Sequence, residues 1–294
     1  RGVDHAPAIS APSRLPLKFE ALRKLIATTI EQLNALGIGR NDRVAIVLPN
    51  GPEMATCFMA CASGVTSAPL NPAYRADEFE FYLNDLHAKA LIVEQSSNSP
   101  AIAVAEKLGV RIIDLIADPD QPAGNFTLAP RDGKPAGSAA AQGGYALTGD
   151  VSMVLHTSGT TSRPKIVPLT QGNLVASATN IRNSLQFVSE DCGLNVMPLF
   201  HIHGLIAGVL APLAAGSQVF CTPGFNALKF FAWMDEARPT WYTAVPTMHQ
   251  AIVSRGKGNA DVIARNPLRF LRSSSSSMPP QVIQELEALF HAPL

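Results

Sequence analysis

Apolar runs of strand length alternate along this chain with segments whose apolar residues recur every three to four positions. The first periodic segment, 18–36, places leucine and isoleucine on one face of a predicted amphipathic helix, and Gly37 follows as a stop signal. A continuous apolar run at 44–48 then has the form of a strand buried in a parallel sheet. Because this order repeats almost to the end of the chain, the pattern predicts an α/β fold built from βαβ units.

The same pattern places the remaining elements. Strands are predicted at 65–70, 90–93, 110–116, 153–155, 194–197, 218–221, 241–245 and 268–273. Helices are predicted at 53–62, 76–86, 102–108, 170–185, 204–214, 227–237, 246–253 and from Pro280 onward. Between 117 and 150 the periodicity is lost among proline, glycine and alanine, which predicts a long surface connection. We therefore expect two doubly wound, mostly parallel sheets flanked by helices, in subdomains at 1–145 and 146–294.

Composition narrows the class of protein. The chain has 294 residues, of which 47% are hydrophobic and 16% charged, as in a globular protein with a large core. Its 23 basic and 23 acidic residues cancel, so no nucleic-acid partner is expected. Cys57, Cys61, Cys192 and Cys221 lie in apolar surroundings without metal-ligand spacing, which predicts buried thiols of a reducing compartment. Without a membrane-length apolar run or a signal-peptide pattern, a cytoplasmic protein with no membrane association and no metal site is expected.

The segment 155–170 carries the most specific chemical signal. Its sequence, Leu-His-Thr-Ser-Gly-Thr-Thr-Ser-Arg-Pro-Lys-Ile-Val-Pro-Leu-Thr, turns from an apolar run into a cluster of hydroxyls with one glycine and a lysine. Small side chains let backbone N–H groups approach an anion, hydroxyls add donors, and a lysine adds a point charge. Pro164 stands where a P-loop needs a glycine before Lys165, so a P-loop is excluded. The alternative is an ordinary turn rich in serine, threonine and glycine.

The ordered string Thr-Ser-Gly-Thr-Thr-x-x-Pro-Lys resembles the phosphate-binding signature of the adenylate-forming (AMP-binding) enzymes, which include the acyl-CoA synthetases. Further segments resemble that superfamily in the expected order, at 47–53, 68–78, 197–205 and 272–280. Two positions depart from the family pattern, since Ser162 and Ile166 stand where it usually has glycine, and Ile166 removes the freedom to take a positive φ. The pair Ser162-Arg163 with the segment 168–170 is most similar to the oxalate–CoA ligases and their bacterial relatives.

The resemblance implies the N-terminal domain of an ATP-dependent acid–CoA ligase, which forms an acyl-adenylate with magnesium and passes the acyl group to coenzyme A. It assigns the phosphates of ATP to Thr157, Ser158, Gly159, Thr160, Thr161, Ser162 and Lys165. It assigns the adenine and acyl pocket to His201, Ser274, Ser275, Ser276, Ser277 and Met278. Lys165 would add charge near the departing pyrophosphate, and His201 would lie against the carboxylate. Loops after successive strands are expected to converge, because ligands bind at the carboxyl ends of strands in such sheets.

The serine run also bears on the substrate. Five consecutive hydroxyls at 273–277 would form a polar pocket floor, which suits a short polar acid such as oxalate, or another small or medium acid, better than a long alkyl chain. The pair His201 and His203 leaves three interpretations open, namely a metal pair, packed core histidines, or a substrate role in which His201 is preferred to His203.

The resemblance also implies that several functional residues of the family lie beyond the end of this sequence. It places the glutamate that holds magnesium, an aspartate for the ribose, and a small C-terminal domain with the catalytic lysine beyond residue 294, so a truncated N-terminal portion is expected. Two alternatives to the ligase stay open, a nucleotide-binding fragment or pseudoenzyme without turnover, and an adenylation enzyme with an acceptor other than CoA. The expected partners are a small carboxylic acid, ATP and CoA, and a homodimer is a further expectation.

Overall fold

The structure is a computed structural model that describes residues 2–135, 137–157 and 164–294. The chain divides into two compact units. The N-terminal unit comprises Glu20–Pro49 and Glu53–Ser177. The C-terminal unit comprises Arg1–Phe19, Asn50–Pro52 and Ala178–Leu294.

The elements are numbered here in chain order. The strands are β1 (Pro7–Ser10), β2 (Leu17–Lys18), β3 (Arg43–Val47), β4 (Thr66–Pro69), β5 (Ala90–Glu94), β6 (Arg111–Ala117), β7 (Phe126–Pro130), β8 (Val151–Thr157), β9 (Lys165–Thr170), β10 (Cys192–Asn195), β11 (Gln218–Cys221), β12 (Trp241–Ala244) and β13 (Phe270–Ser273). The helices are α1 (Phe19–Ala35), α2 (Pro52–Gly64), α3 (Ala76–Leu86), α4 (Pro100–Leu108), α5 (Gln171–Ser184), α6 (Ala211–Ala215), α7 (Phe230–Ala237), α8 (Pro246–Gly256), α9 (Ala260–Arg265) and α10 (Pro280–Phe290). A π-helical segment covers His203–Leu210, and a 3-10 turn covers Lys257–Asn259.

Each unit is built on one sheet. In the described part of the N-terminal unit the sheet has seven strands in the order β7-β6-β5-β3-β4-β8-β9, and only its edge strands run antiparallel to their neighbours. The described part of the C-terminal unit has six strands in the order β13-β12-β10-β11-β1-β2, with β2 antiparallel. The predicted α/β fold with two mostly parallel sheets flanked by helices is confirmed.

The division between the units falls at a different place from the predicted boundary at residue 145. Strand β8 pairs in parallel with β4, and β9 pairs with β8, so both strands complete the N-terminal sheet. Strand β1 pairs in parallel with β11, which places the first 19 residues in the C-terminal unit. Strand pairing over a long sequence separation sets this boundary, and the loss of periodicity in the connecting segment does not.

Several short elements were not predicted. Strand β7 lies inside 117–150, so the prediction of a surface connection is wrong for Phe126–Pro130, where the side chains of Phe126 and Leu128 are buried. Strand β9 contains Pro168, which a central strand would not tolerate because proline has no backbone N–H to donate. Strand β9 lies at the edge of the sheet, where one side of the strand has no partner and proline is accepted. The predicted helix at 204–214 is a π-helical segment followed by α6.

Aromatic and aliphatic side chains fill the interior on each sheet. In the C-terminal unit Phe230, Tyr242 and Phe290 belong to one buried cluster, and in the N-terminal unit Phe79 and Leu91 belong to another. Each such side chain stabilises the fold by roughly 1.5–3 kcal/mol relative to exposure. The four cysteines are free and buried, as their apolar context predicted. Among the described residues, no helix combines the length and the apolar character needed to cross a membrane.

Candidate functional site

The predicted phosphate loop is the connection of a β-hairpin. Strand β8 ends at Thr157, strand β9 begins at Lys165, and these two residues stand directly opposite each other in the antiparallel ladder. Residues paired in this way project to the same face with their Cβ atoms about 5 Å apart. Both are exposed, so a hydroxyl and an ammonium group stand side by side where the two strands enter the connection.

The other predicted phosphate-binding residues lie outside the residues that the structure describes; they are Ser158, Gly159, Thr160, Thr161 and Ser162. Ile166, which replaces a family glycine, is a half-buried strand residue paired with His156. An extended backbone at this position accepts a β-branched side chain, so the substitution is compatible with the hairpin as it stands.

A histidine fixes the end of β8, and the sequence analysis did not consider it. His156, one residue before Thr157, places its Nε2 atom 3.0 Å from Oδ2 of Asp85 on α3, and its ring packs edge-on against Tyr82 at 4.6 Å between centroids. Burial lowers the pKa of His156, although Asp85 acts in the opposite direction. The ring is therefore neutral near pH 7, and Nε2–H donates to the carboxylate. Asp85 and His156 are 71 positions apart, and no local pattern in the sequence connects them.

A second group of polar side chains lies in the C-terminal unit, around His203. Its Nε2 atom is 2.6 Å from Oγ1 of Thr243 on β12 and 2.7 Å from Nη1 of Arg272 on β13. Its Nδ1 atom is 3.2 Å from Oγ of Ser275, in the serine run that follows β13. Parallel strands carry these residues to one edge of the sheet, because Thr243 and Arg272 are register partners close to the ends of β12 and β13.

The protonation of His203 follows from its partners. A guanidinium group can only donate, so Nε2 accepts from Arg272, and the proton of the neutral ring sits on Nδ1, where it donates to Ser275. Burial, and then the charge of Arg272, lower the pKa of His203 to about 4. At neutral pH this histidine is uncharged and serves as a fixed donor and acceptor. It is thus a poor metal ligand, since its available ring nitrogen is already occupied.

Arg272 is held from both sides. Its Nη1 atom also lies 3.2 Å from Oγ1 of Thr243, and its backbone carbonyl accepts a 3.2 Å hydrogen bond from Nε2 of His249. That ring in turn accepts from the hydroxyl of the buried Tyr242 through Nδ1, at 3.0 Å. Burial lowers the pKa of the guanidinium of Arg272, which still remains charged at neutral pH. None of these partners is a carboxylate.

The serine run makes an irregular turn. Ser275 has a φ of 78°, in the left-handed region that favours glycine, and such strain in a non-glycine residue is concentrated at functional sites. Ser276 and Ser277 are exposed, whereas Ser274 is half-buried. Met278 is half-buried and packs against the core of the C-terminal unit. Of the residues predicted for the pocket, the structure brings Ser275 into contact with His203.

His201, preferred in the sequence analysis, lies outside this network. It is exposed, its ring packs against Phe200 at 4.4 Å between centroids, and partial burial lowers its pKa. His203 differs because it begins the π-helical segment, and π-helical turns are frequent at functional sites. Two glycines let this segment pack closely against its neighbours, since a Cβ atom at Gly204 would lie 2.5 Å from the carbonyl oxygen of Pro198 and one at Gly208 would lie 2.5 Å from Nδ2 of Asn195.

The two sets of residues belong to different compact units, with Thr157 and Lys165 in the N-terminal unit and the network of His203 in the C-terminal unit. Within the described ranges, no group of three or more histidine, cysteine, aspartate or glutamate residues is arranged to hold a metal ion.

The amino-acid sequence is similar to a known enzyme family and to several of its members. Residues 7–294 match the model of a family described as AMP-binding enzyme. The chain is 38% identical to an oxalate–CoA ligase of Arabidopsis thaliana over 98% of its own length and 56% of that protein. It is 34% identical to an oxalate–CoA ligase of Saccharomyces cerevisiae over 87% of its length and 50% of that protein. The chain therefore spans about half the length of these relatives.

A solved structure supports the fold assignment. ATP-bound MatB from Rhodopseudomonas palustris superposes with a TM-score of 0.79 at 23% identity, over 97% of this chain and 55% of that one. This similarity concerns the fold alone.

Proposed function

The chain belongs to the AMP-binding enzyme family, and on that premise we propose that the full-length protein is an ATP-dependent ligase that joins a short polar carboxylic acid, such as oxalate, to coenzyme A. The names of two relatives that it matches over most of its own length support the reaction class. The observation that carries the proposal is the pairing of Thr157 with Lys165 at the entrance to the family's phosphate-binding sequence.

The proposed reaction has two steps, formation of an acyl-adenylate and transfer of the acyl group to coenzyme A. A carboxylate oxygen attacks the α-phosphorus of ATP and expels pyrophosphate, and the thiol of coenzyme A then attacks the acyl carbonyl and releases AMP. The first step brings two anions together, so the protein must offset their repulsion and stabilise charge on the leaving group. In this account Lys165 supplies positive charge to the phosphates and Thr157 supplies a hydroxyl donor beside it. Residues 158–162 complete the phosphate site as their sequence predicts.

The acid side of the proposal rests on the C-terminal unit. His203 presents a neutral ring between Arg272 and Ser275, and exposed hydroxyls of Ser276 and Ser277 follow in the chain. An alkyl chain placed against these groups would leave them without hydrogen-bond partners, at a cost of about 1–3 kcal/mol for each buried group. A short polar acid avoids that cost. His201 is proposed to contact the acid from its exposed position, while His203 contacts the serine turn.

Magnesium would accompany the phosphates of ATP in this reaction, and the resemblance places its glutamate ligand beyond residue 294. Cytoplasmic location and a homodimer remain predictions from the sequence.

Acid-dependent exchange of pyrophosphate with ATP tests the proposal. The full-length gene product and this chain alone would be assayed with oxalate, malonate, acetate and a medium-chain acid. Exchange in the full-length protein with oxalate preferred is the expected result. If none of the acids supports exchange while ATP still binds, the protein is a nucleotide-binding module without turnover. Exchange without formation of a CoA thioester would point to a different acyl acceptor.

A further inference from the structure

The guanidinium group of Arg272 has an unused side. Both N–H groups of Nη1 are directed to His203 and Thr243. The remaining donors, on Nε and Nη2, have no partner among the described residues. Neither nitrogen is one of the fully buried polar atoms without a partner, so both are accessible to a ligand. An Nε–H and Nη2–H pair forms the planar fork that matches the two oxygens of a carboxylate.

The charge of Arg272 is also uncompensated. In the part of the chain that the structure describes, two neighbouring arginines of the C-terminal unit pair with carboxylates, Arg269 with Asp191 and Arg265 with Asp235. Arg272 has only a neutral imidazole and a hydroxyl as partners, although it is half-buried. Partial burial of a charge is costly unless an opposite charge is close, so an anion bound at the open side of the guanidinium would offset that cost.

The surrounding side chains hold the fork in one position. Thr243 and His203 fix Nη1, and His249 fixes the backbone carbonyl of the same residue. Tyr242 and His249 are fully buried, so the support beneath Arg272 is rigid. A pre-positioned fork loses little conformational entropy when it binds an anion, which is the usual requirement for a specificity-determining residue.

We propose that Arg272 binds the second anionic group of a short diacid, and that it thereby distinguishes a diacid from a monoacid of similar size. This inference rests on the proposed function, because the acid it addresses is the substrate of the ligase. The reacting carboxylate stays free for attack on ATP, while the other carboxylate is held through two parallel N–H···O bonds. A monoacid would leave the fork and its charge unpaired.

The alternative is that Arg272 is a structural residue whose only role is to orient His203. The two interpretations make different predictions for a pair of ligands that differ at one end. Oxalate carries two carboxylates, and glycolate replaces one of them with a neutral hydroxymethyl group. A purely structural arginine would affect the two ligands alike, whereas an anion-binding arginine would affect oxalate selectively.

Equilibrium binding of oxalate and glycolate to the full-length protein, measured by isothermal titration calorimetry, tests the inference. Arg272→Met should weaken oxalate binding roughly 100-fold, since two charge-assisted hydrogen bonds are lost, and should weaken glycolate binding far less. Arg272→Lys keeps the charge without the fork, so its affinity for oxalate should lie between those of the unaltered protein and Arg272→Met. Arg255→Met, at an exposed position on α8, is the matched control and should change neither ligand.

Far-ultraviolet circular dichroism would establish that each variant is folded, and Arg272→Lys keeps the test decisive if Arg272→Met does not fold. Equal loss of both ligands in a folded variant, or loss of neither, would overturn the inference. The outcome is separable from that of the proposed function. Oxalate-dependent exchange with unchanged selectivity in Arg272→Met would sink this inference alone, and selective oxalate binding without exchange would uphold it while the ligase proposal failed.

Discussion

Thr243 and Arg272 stand opposite each other on adjacent strands, and both reach the same nitrogen of His203, at 2.6 and 2.7 Å. This arrangement converts a register pair in a parallel sheet into a fixed polar site, because the sheet determines the spacing and the histidine joins the two side chains. Ser275 completes the site on the opposite side of the ring. The geometry explains how a strained serine turn and a π-helical segment are brought to one edge of the C-terminal unit.

Replacing Lys165 with alanine should raise the KM for ATP about tenfold or more, because one charge-assisted contact to phosphate is lost. Binding of the acid should change much less, since the acid-binding residues proposed here lie in the C-terminal unit. Initial rates of pyrophosphate–ATP exchange over a range of ATP and acid concentrations would separate the two effects. Lys24→Ala, at an exposed position on α1, serves as the control. Unchanged kinetics in Lys165→Ala would remove its assigned role.

The hydrogen bond between His156 and Asp85 should position the β8–β9 hairpin, which we propose to bind phosphate. Asp85→Ala removes the acceptor, and we expect weaker ATP binding with a loss of about 1 kcal/mol in stability, since Asp85 is partly exposed. Asp85→Asn keeps an oxygen acceptor and should restore most of the ATP affinity. Calorimetric titration with ATP and thermal unfolding would be measured for both variants. Equal ATP affinity in the two variants and the unaltered protein would show that the contact only stabilises the fold.

Gly208 should resist substitution because of its contact with Asn195. A Cβ atom at this position would lie 2.5 Å from Nδ2 of the buried amide, so Gly208→Ala should cost about 1–3 kcal/mol through overpacking. Gly258 offers a matched control, because a Cβ atom there meets nothing within 4 Å. The free energy of unfolding in urea would be compared for the two alanine variants. Similar stabilities would contradict the close packing of the π-helical segment against β10.

Stability should fall as the pH is lowered from about 6.5 to about 4. Burial, as the main cause in each case, lowers the pKa of both His203 and His249 to about 4 in the folded state. Because the unfolded chain has the higher histidine pKa, it binds more protons in this window, and each unit of difference corresponds to about 1.4 kcal/mol. Urea unfolding followed by fluorescence of Trp233 and Trp241 would measure the slope. The variant His249→Gln should show a shallower slope, and an identical slope would count against this origin.

Long periodic elements could be predicted from the sequence because hydrophobic spacing reports burial directly. Strand β9 was missed because Pro168 argues against a strand unless the edge position is known, and β1 was missed because its partner β11 is about 200 residues away. Both features depend on contacts between distant segments, which a local pattern does not encode.

The candidate site shows the same limit in its side chains. Thr157 and Lys165 could be proposed as phosphate-binding residues because they belong to a continuous string of residues that resembles a family signature. The sequence could not show that His203, and not His201, contacts Arg272 and Ser275, because alternation along the chain gives no sign of the π-helical segment that begins at His203. The sequence alone does not single out Arg272, because the role proposed for it rests on the lack of a carboxylate partner among the described residues in three dimensions.

The most direct test of the account follows one oxygen atom. If the full-length protein activates the acid as an adenylate, oxalate labelled with ¹⁸O in all positions leaves its bridging oxygen on phosphorus when the thiol of coenzyme A attacks the carbonyl. Mass spectrometry of the nucleotide product should then show AMP that contains one ¹⁸O atom. Unlabelled AMP, or ADP together with labelled inorganic phosphate, would contradict the formation of an acyl-adenylate.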